Sequence, residues 1–170
     1  MAFREIEVKS LLINPFVMFD DDWALLSAGG IGKFNTMTIS WGNMGIMWSK
    51  PILTVVVRPQ RYTKEFIDDL DLFTVSFYSN SYRKALELLG SKSGRDSDKI
   101  TESALTPLFI DDTVAFEEAE RIFLCRKLFG GQQLDATKFV DKSLDPAMYP
   151  NKDYHYFYVG EIVKVLETVD

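Results

Sequence analysis

The chain has 170 residues, 46% of them hydrophobic and 26% charged, and this composition is typical of one globular domain, here residues 1–170. Its net charge of −6 argues against a nucleic-acid-binding protein, because such proteins present a basic surface. A single cysteine and a single histidine rule out an intrachain disulfide and leave too few ligands for a tetrahedral zinc site, so we expect no metal.

The N-terminal half of the chain predicts a series of short strands. Residues 16–19 and 23–28 form the first two, with a turn at the three aspartates between them. Residues 34–41 follow a glycine-rich turn, and residues 52–58 form a β-branched strand bounded by prolines. Residues 72–77 alternate large apolar side chains with small polar ones, which predicts a strand with one face exposed to water.

Two short helices are predicted between and after these strands. In residues 62–70, and again in residues 82–89, the apolar positions recur at helical spacing. Ser81 is placed to cap the start of the second helix, and Gly90 follows its end. The polar residues 91–98 then predict a loop.

The last third of the chain returns to strands. Residues 120–129 are long enough to pair with two neighbours, and residues 154–166 place Phe157 and three valines on one side. Residues 140–151, with two prolines, predict a connecting loop with one helical turn. Many strands and few helices favour a mainly β fold, an antiparallel β-barrel with peripheral helices, although periodicity alone leaves a β-sandwich open.

The sequence also predicts a cytoplasmic protein that does not enter a membrane. Its first residues contain no apolar signal-peptide core. No uninterrupted apolar run approaches the roughly 20 residues that span a bilayer.

The densest candidate site is the run from residue 35 to residue 43. On a strand, alternation places Thr36, Thr38 and Ser40 on one face, where successive hydroxyls can bond ring oxygens, ring nitrogens or a phosphate. A strand with one face simply in water is the alternative interpretation.

Two further segments have the chemistry of an anion site. Arg58 ends a predicted strand just before Thr63 begins a helix, and a helix N-terminus beside an arginine favours an anion. The segment 91–95 adds two hydroxyls and two cations after a helix end. The alternatives are an ordinary ion pair with a helix cap, and a solvated loop. Neither the P-loop nor the dinucleotide-binding glycine pattern occurs.

His155 is the one histidine, and it lies within an aromatic run. A structural histidine is one interpretation, and a role in proton or hydride transfer is the other, which makes His155 a weak candidate for a catalytic residue.

Several segments occur in an order that is specific to one known family. They are residues 35–42, Lys50-Pro51 before residues 52–57, Arg58-Pro59 followed by Arg61-Tyr62-Thr63, residues 73–77, residues 91–96 and residues 154–162. In this order they resemble the flavin reductase-like, FMN-binding split-barrel family, and its flavoredoxin-type members in particular.

The resemblance implies a six-stranded antiparallel barrel of Greek-key type, forming a homodimer with non-covalent FMN at the subunit interface. It implies contacts with the flavin ring and ribityl chain from Asn35, Thr36, Met37, Thr38, Ser40 and Trp41. It implies that the phosphate end is held by Arg58, Tyr62, Thr63, Ser91, Lys92 and Ser93. Phe157 and His155 would flank the ring or a nicotinamide pocket.

The resemblance further implies an FMN-binding oxidoreductase. Two forms are expected, an NAD(P)H-dependent flavin reductase and an electron carrier that exchanges electrons with a small molecule or a redox protein. The alternative from another class is a non-catalytic barrel that binds another ligand, such as haem. An oxidase of the pyridoxine phosphate type ranks last.

Overall fold

The computed structural model describes residues 2–169. Within this range there are ten strands: β1 (Ala2–Ile6), β2 (Ala24–Gly30), β3 (Lys33–Ile39), β4 (Gly42–Met47), β5 (Lys50–Val57), β6 (Leu72–Phe77), β7 (Pro107–Ile110), β8 (Thr113–Phe116), β9 (Arg121–Gln133) and β10 (Tyr156–Val169). The helices are α1 (Pro15–Val17), α2 (Thr63–Asp69), α3 (Arg83–Ser91), α4 (Lys99–Ser103) and α5 (Leu144–Met148). None of these helices is both long and apolar enough to cross a membrane.

Eight strands form one antiparallel sheet in the order β3-β2-β6-β9-β10-β5-β4, with β1 added beside β10. β3 and β4 remain at its two edges, so the sheet wraps around a core without closing within residues 2–169. β7 and β8 form a separate hairpin. The predicted mainly β, antiparallel fold is confirmed, and the sheet has eight strands rather than six because β1 and β4 extend it.

One face of the sheet encloses the main hydrophobic core. Phe73, Val75 and Phe77 of β6 are buried there, and Phe77 contacts Phe123 of β9 edge-on at 5.9 Å between ring centroids. Burial of each such side chain contributes about 1.5–3 kcal/mol. A one-residue slip of β6 would turn all three away from the core, so the alternation fixes its register.

The opposite face of the sheet is covered as well. Thr74 and Ser76 of β6 are fully buried, and the Thr74 hydroxyl donates to the Val114 carbonyl oxygen of β8 at 2.6 Å. Leu86 and Leu89 of α3 belong to a second hydrophobic cluster on this side. The prediction of a water-exposed face for residues 72–77 is therefore wrong, because a hairpin from later in the chain and a helix lie over that face.

Residues 16–19 are helical, and the prediction of a strand there is wrong. Pro15 takes the first helical position, and the Asn14 side chain accepts a hydrogen bond from the Phe16 amide at 3.1 Å. Both features are signals of a helix start, and they outweigh the β propensity of Phe16 and Val17. The helical turns continue through Met18–Asp22, so the three aspartates end a helix rather than connect two strands.

Helix α3 is confirmed, but its limits differ from the predicted ones. It begins at Arg83, and Ser81 belongs to a preceding 3-10 turn in which its hydroxyl bonds Ser79 rather than capping the helix. Gly90 lies inside the last turn rather than after it. A Cβ at Gly90 would lie 3.1 Å from the Cβ of Thr38, so the glycine lets α3 approach β3 closely.

The other predicted elements are confirmed with small changes. Helix α2, the helical turn α5 within the loop of residues 140–151, and long strands β9 and β10 all form. β9 pairs with both β6 and β10, as its length predicts. A bulge in β10 reverses the alternation, so Val163 is 39% exposed and its predicted place beside the buried Val165 is wrong.

Candidate functional site

A cleft runs between β3, the residues that lead into α2, and the end of α3. Its wider part, a cavity of about 310 Å³, is named the wide chamber. Six predicted site residues line it: Met37, Thr38, Ser40, Trp41, Arg58 and His155. Ile39, Val56, Arg61 and Gly90 complete its wall. A wall that combines apolar and aromatic side chains with hydrogen-bonding groups suits a planar conjugated ring with polar atoms at its edge.

The cleft continues into a cavity of about 160 Å³, named the narrow chamber, which shares Met37 and Arg61 with the wide one. Six more predicted residues line it: Asn35, Tyr62, Thr63, Ser91, Lys92 and Ser93. Gln60 and Lys99 also lie in its wall. The structure therefore brings the three segments identified in the sequence to one continuous cleft.

Two cations in the narrow chamber lack an acidic partner within residues 2–169. Lys99 is 2% exposed, and its ammonium donates to the carbonyl oxygens of Leu89 at 3.0 Å and Lys92 at 3.1 Å. Arg61 is partly buried and donates to the Gly90 carbonyl oxygen at 2.7 Å. Burial lowers the pKa of Lys99 to about 8, with the positive charge of Arg61 acting in the same direction. A bound anion would relieve both effects, and this donor set suits a phosphate group.

Arg58 and Lys92, the two cations that the sequence predicts at the phosphate, each have an acidic partner. Arg58 forms an ion pair with Asp153 at 2.7 Å and also donates to the Met148 carbonyl oxygen. It lines the wide chamber and not the narrow one, so its predicted contact with a phosphate stays a prediction. Lys92 lies in the narrow chamber but is paired with Glu102.

Two polar side chains of β3 are held in place by hydrogen bonds to the neighbouring helices α2 and α3. The Asn35 amide donates to the Thr63 hydroxyl at 2.8 Å, which ties β3 to the first turn of α2. The Thr38 hydroxyl donates to the Leu86 carbonyl oxygen of α3, so only its lone pairs remain for a ligand. These bonds hold the cleft walls at a set separation.

Two predicted residues lie away from the cleft wall. Thr36 is fully buried and its hydroxyl is hydrogen-bonded to the Ser27 hydroxyl at 2.7 Å, so its side chain does not line the cleft. The face that carries Thr36 points toward the layer over the sheet, which alternation along one strand does not reveal. Phe157 pairs with Val56 across β10 and β5, so it lies on the same face of the sheet as Val56, but it does not line the wide chamber.

His155 closes one side of the wide chamber. It is 8% exposed, its ring lies 5.0 Å from that of Trp41, and its Nδ1 is 2.8 Å from the hydroxyl of Tyr149. Burial lowers the pKa of His155 to about 4, and the nearby Arg58 guanidinium acts in the same direction while Asp153 opposes it. The imidazole is therefore neutral at physiological pH.

This environment predicts an unusual titration for His155. In the folded protein its NMR signal is expected to titrate near pH 4, and in denaturant near its ordinary value of 6.5. Between these values the unfolded chain binds more protons, so the free energy of unfolding should decrease as the pH falls from about 6.5 to about 4. Because the chain has one histidine, the signal is unambiguous. A folded-state midpoint near 6.5 would contradict this description of the wall.

Arg61 and Lys99 line the narrow chamber but are not among the site residues predicted from the sequence. Arg61 belongs to a segment that the sequence singles out, but nothing there distinguishes it from Arg58. Lys99 begins the short helix α4. Its burial depends on the position of α4 beside the end of α3, which no local pattern reports.

Comparison with known proteins relates the chain to flavin-binding domains. Residues 19–168 match the family model described as flavin reductase like domain. Comparison with curated proteins found no match.

Several solved structures share the fold. An FMN-binding domain of a flavin reductases-like enzyme from Shewanella baltica has a TM-score of 0.69 at 16% identity, covering 98% of this chain and 77% of that one. Flavoredoxin from Methanosarcina acetivorans has a TM-score of 0.65 at 25% identity, covering 86% and 68%. A split barrel domain protein from Shewanella frigidimarina has a TM-score of 0.66 at 18% identity, covering 97% and 75%. The expected split-barrel fold is thereby confirmed.

Proposed function

Because this chain belongs to the flavin reductase-like family, we propose that it binds FMN non-covalently in the cleft formed by the wide and narrow chambers. One observation carries the proposal: the buried Lys99 and the partly buried Arg61 have no carboxylate partner within residues 2–169, and their chamber adjoins one with an aromatic wall. Buried cations without a counter-ion are costly, and a phosphate at this position offsets that cost.

In this proposal the two chambers bind different parts of FMN. The narrow chamber holds the phosphate through Arg61 and Lys99, with hydroxyls of Thr63, Ser91 and Ser93 on its wall. The wide chamber takes the flavin ring against Met37, Trp41 and His155, with Thr38 and Ser40 beside it. This arrangement retains the proposed contacts of Asn35, Tyr62 and Lys92 and moves Arg58 from the phosphate to the ring end. It does not use Phe157, which lies away from the cleft wall.

The proposed reaction is electron transfer through the flavin, with NAD(P)H as electron donor. Bound FMN supplies the hydride and electron chemistry, while the protein fixes the ring and limits its contact with water. An enzyme that uses flavin as a substrate and a carrier that keeps its flavin fit the same cleft. The structural similarity to a flavoredoxin supports the carrier as the second form of the proposal.

An absorption spectrum of the FMN-loaded protein tests the proposal. We expect a stoichiometric complex with a flavin band near ~450 nm whose FMN fluorescence is quenched on binding. Dialysis then separates the two forms, since a carrier retains its flavin while a reductase turns over added FMN or riboflavin with NAD(P)H. A haem Soret band with no flavin binding would instead support the non-catalytic alternative.

We further propose that a second copy of the chain covers the open side of the wide chamber. The hairpin of β4 and β5 ends in three exposed apolar residues, Ile46, Met47 and Trp48, and Trp41 at the chamber wall is 44% exposed. Exposed large apolar side chains at both ends of β4 are typical of an interface rather than of a free surface. FMN would then lie at the subunit boundary.

Replacing Trp48 with glutamate tests this arrangement. A charge placed in an apolar interface without a partner costs several kcal/mol, so we expect a monomer and at least about tenfold weaker FMN binding. Light scattering after gel filtration measures the mass, and fluorescence quenching measures the affinity. Ile31→Glu is a matched control, because Ile31 is 87% exposed in the separate turn between β2 and β3. A wild-type monomer that binds FMN tightly would refute the interface.

A further inference from the structure

Tyr149 and His155 form a hydrogen-bonded pair at the wall of the wide chamber. Both are nearly buried, at 4% and 8% exposure, and the Tyr149 hydroxyl lies 2.8 Å from Nδ1 of His155. The other ring nitrogen, Nε2, makes no hydrogen bond to any residue in the range 2–169. At the wall of the wide chamber, His155 thus has one ring nitrogen, Nδ1, bonded to Tyr149 and the other, Nε2, available to a ligand.

The direction of this hydrogen bond follows from the surroundings of Tyr149. Within residues 2–169 the Tyr149 hydroxyl has no acceptor other than Nδ1, so its proton is satisfied only if Tyr149 donates to His155. Burial raises the pKa of the Tyr149 phenol, which keeps that proton in place. In a neutral imidazole, an accepting Nδ1 leaves the proton on Nε2.

We propose that Tyr149 is a positioning residue that makes His155 Nε2 a fixed, neutral hydrogen-bond donor for a carbonyl oxygen of a planar ring in the wide chamber. The identity of the ring rests on the proposed function. The ring is either the pyrimidine half of the bound flavin or a second carbonyl-bearing ring, such as a nicotinamide, stacked beside the flavin.

The charges around His155 favour a neutral acceptor. Arg58 and Asp153 are the charged groups beside the histidine, and they are paired with each other at 2.7 Å. Arg58 also lies over the Tyr149 ring, 5.1 Å from its centroid. On the other side stands the uncharged Trp41. A carbonyl oxygen needs one donor and no full counter-charge, which is what this wall supplies.

The first test uses nitrogen NMR of the FMN-free protein, in which the single histidine gives one pair of ring signals. We expect the proton on Nε2 and a hydrogen-bonded Nδ1, whose signal moves to the unbonded position in Tyr149→Phe. Tyr154→Phe is the matched control and should leave it unchanged, because the Tyr154 hydroxyl bonds Asp145 instead. A proton on Nδ1, or a Tyr149→Phe spectrum like that of the wild type, would overturn the positioning role.

The second test identifies the ring. FMN is added first and NAD⁺ second: a shift of the Nε2 proton on FMN assigns the carbonyl to the flavin, and a shift only on NAD⁺ assigns it to the second ring. His155→Leu should then weaken binding of the responding probe about three- to tenfold, the effect of one neutral hydrogen bond. His155→Gln, which keeps a donor, should stay within about twofold.

The outcomes separate this inference from the proposed function. If Nε2 responds to neither probe although FMN fluorescence is quenched, the inference fails and FMN binding stands. If FMN does not bind, the proposed function fails, and the NMR of the FMN-free protein still reports whether Tyr149 sets the proton position.

Discussion

Replacing Lys99 with methionine is expected to weaken FMN binding by about tenfold to a hundredfold, while riboflavin binding changes by no more than about twofold. The Lys99 ammonium uses two of its three donors on carbonyl oxygens, which leaves one for a phosphate. Arg61 uses one bond of its guanidinium on Gly90, and Arg61→Met should have an effect of the same size. Riboflavin has the same ring without the phosphate, so the ratio of the two affinities isolates the phosphate contact.

Two control variants make this prediction specific. Lys84→Met makes the same substitution at an exposed position of α3 and should leave both affinities unchanged. Lys92→Met should have a smaller effect than Lys99→Met, because Lys92 is already paired with Glu102 at an exposed position. Calorimetric titration with each flavin gives the constants. Equal losses of FMN and riboflavin affinity in Lys99→Met would show that the lysine only stabilises the end of α3.

Replacing Gly29 with alanine is expected to lower the free energy of unfolding by about 2–5 kcal/mol. Gly29 has a φ of 111°, a backbone conformation that residues with a Cβ rarely adopt. A Cβ there would lie 2.4 Å from the Cα of Phe34 on β3. The clash is with backbone of the paired strand, so it is relieved only by distorting the β2–β3 hairpin. Because β3 forms a cleft wall, FMN affinity should decrease as well.

Two neighbouring glycines separate the causes of this effect. Gly32 has a φ of 88° but open space around it, so Gly32→Ala should cost only the backbone strain, about 1–2 kcal/mol. Gly30 does not have a positive φ, and a Cβ there would meet its nearest atom at 3.7 Å, an ordinary contact distance. Gly30→Ala should therefore change the free energy of unfolding by less than about 1 kcal/mol. Urea denaturation measures all three. A Gly29→Ala protein as stable as Gly30→Ala would show that the hairpin is built differently.

The sequence predicts the elements whose signals are local. The β-branched run of β5, the alternation of β6 and the apolar spacing of α2 each report a structure that its own residues determine. Strand β4 and the β7–β8 hairpin carry weaker signals, because their side chains face solvent or a second layer. The covered outer face of β6 likewise depends on a hairpin some forty residues later in the chain, since Thr74 bonds to Val114.

In the candidate site, too, some features follow from local sequence and others from residues distant in the chain. Segment order and hydroxyl patterning indicate the β3 run, the entrance to α2 and the loop after α3, and the structure joins them in one cleft. Which cation is free for a ligand depends on partners distant in sequence. Arg58 is neutralised by Asp153, whereas among residues 2–169 Lys99 bonds only carbonyl oxygens at the end of α3. That difference follows from three-dimensional neighbours and has no counterpart in residue type or spacing.

A crystal structure of the protein with bound FMN would show whether the two chambers hold the cofactor as proposed. We predict that the phosphate lies within hydrogen-bond distance of both the Lys99 ammonium and the Arg61 guanidinium, with the flavin ring between Met37 and Trp41. Electron density for the phosphate at the surface beside Arg95, or for the ring outside the wide chamber, would contradict the proposed binding mode.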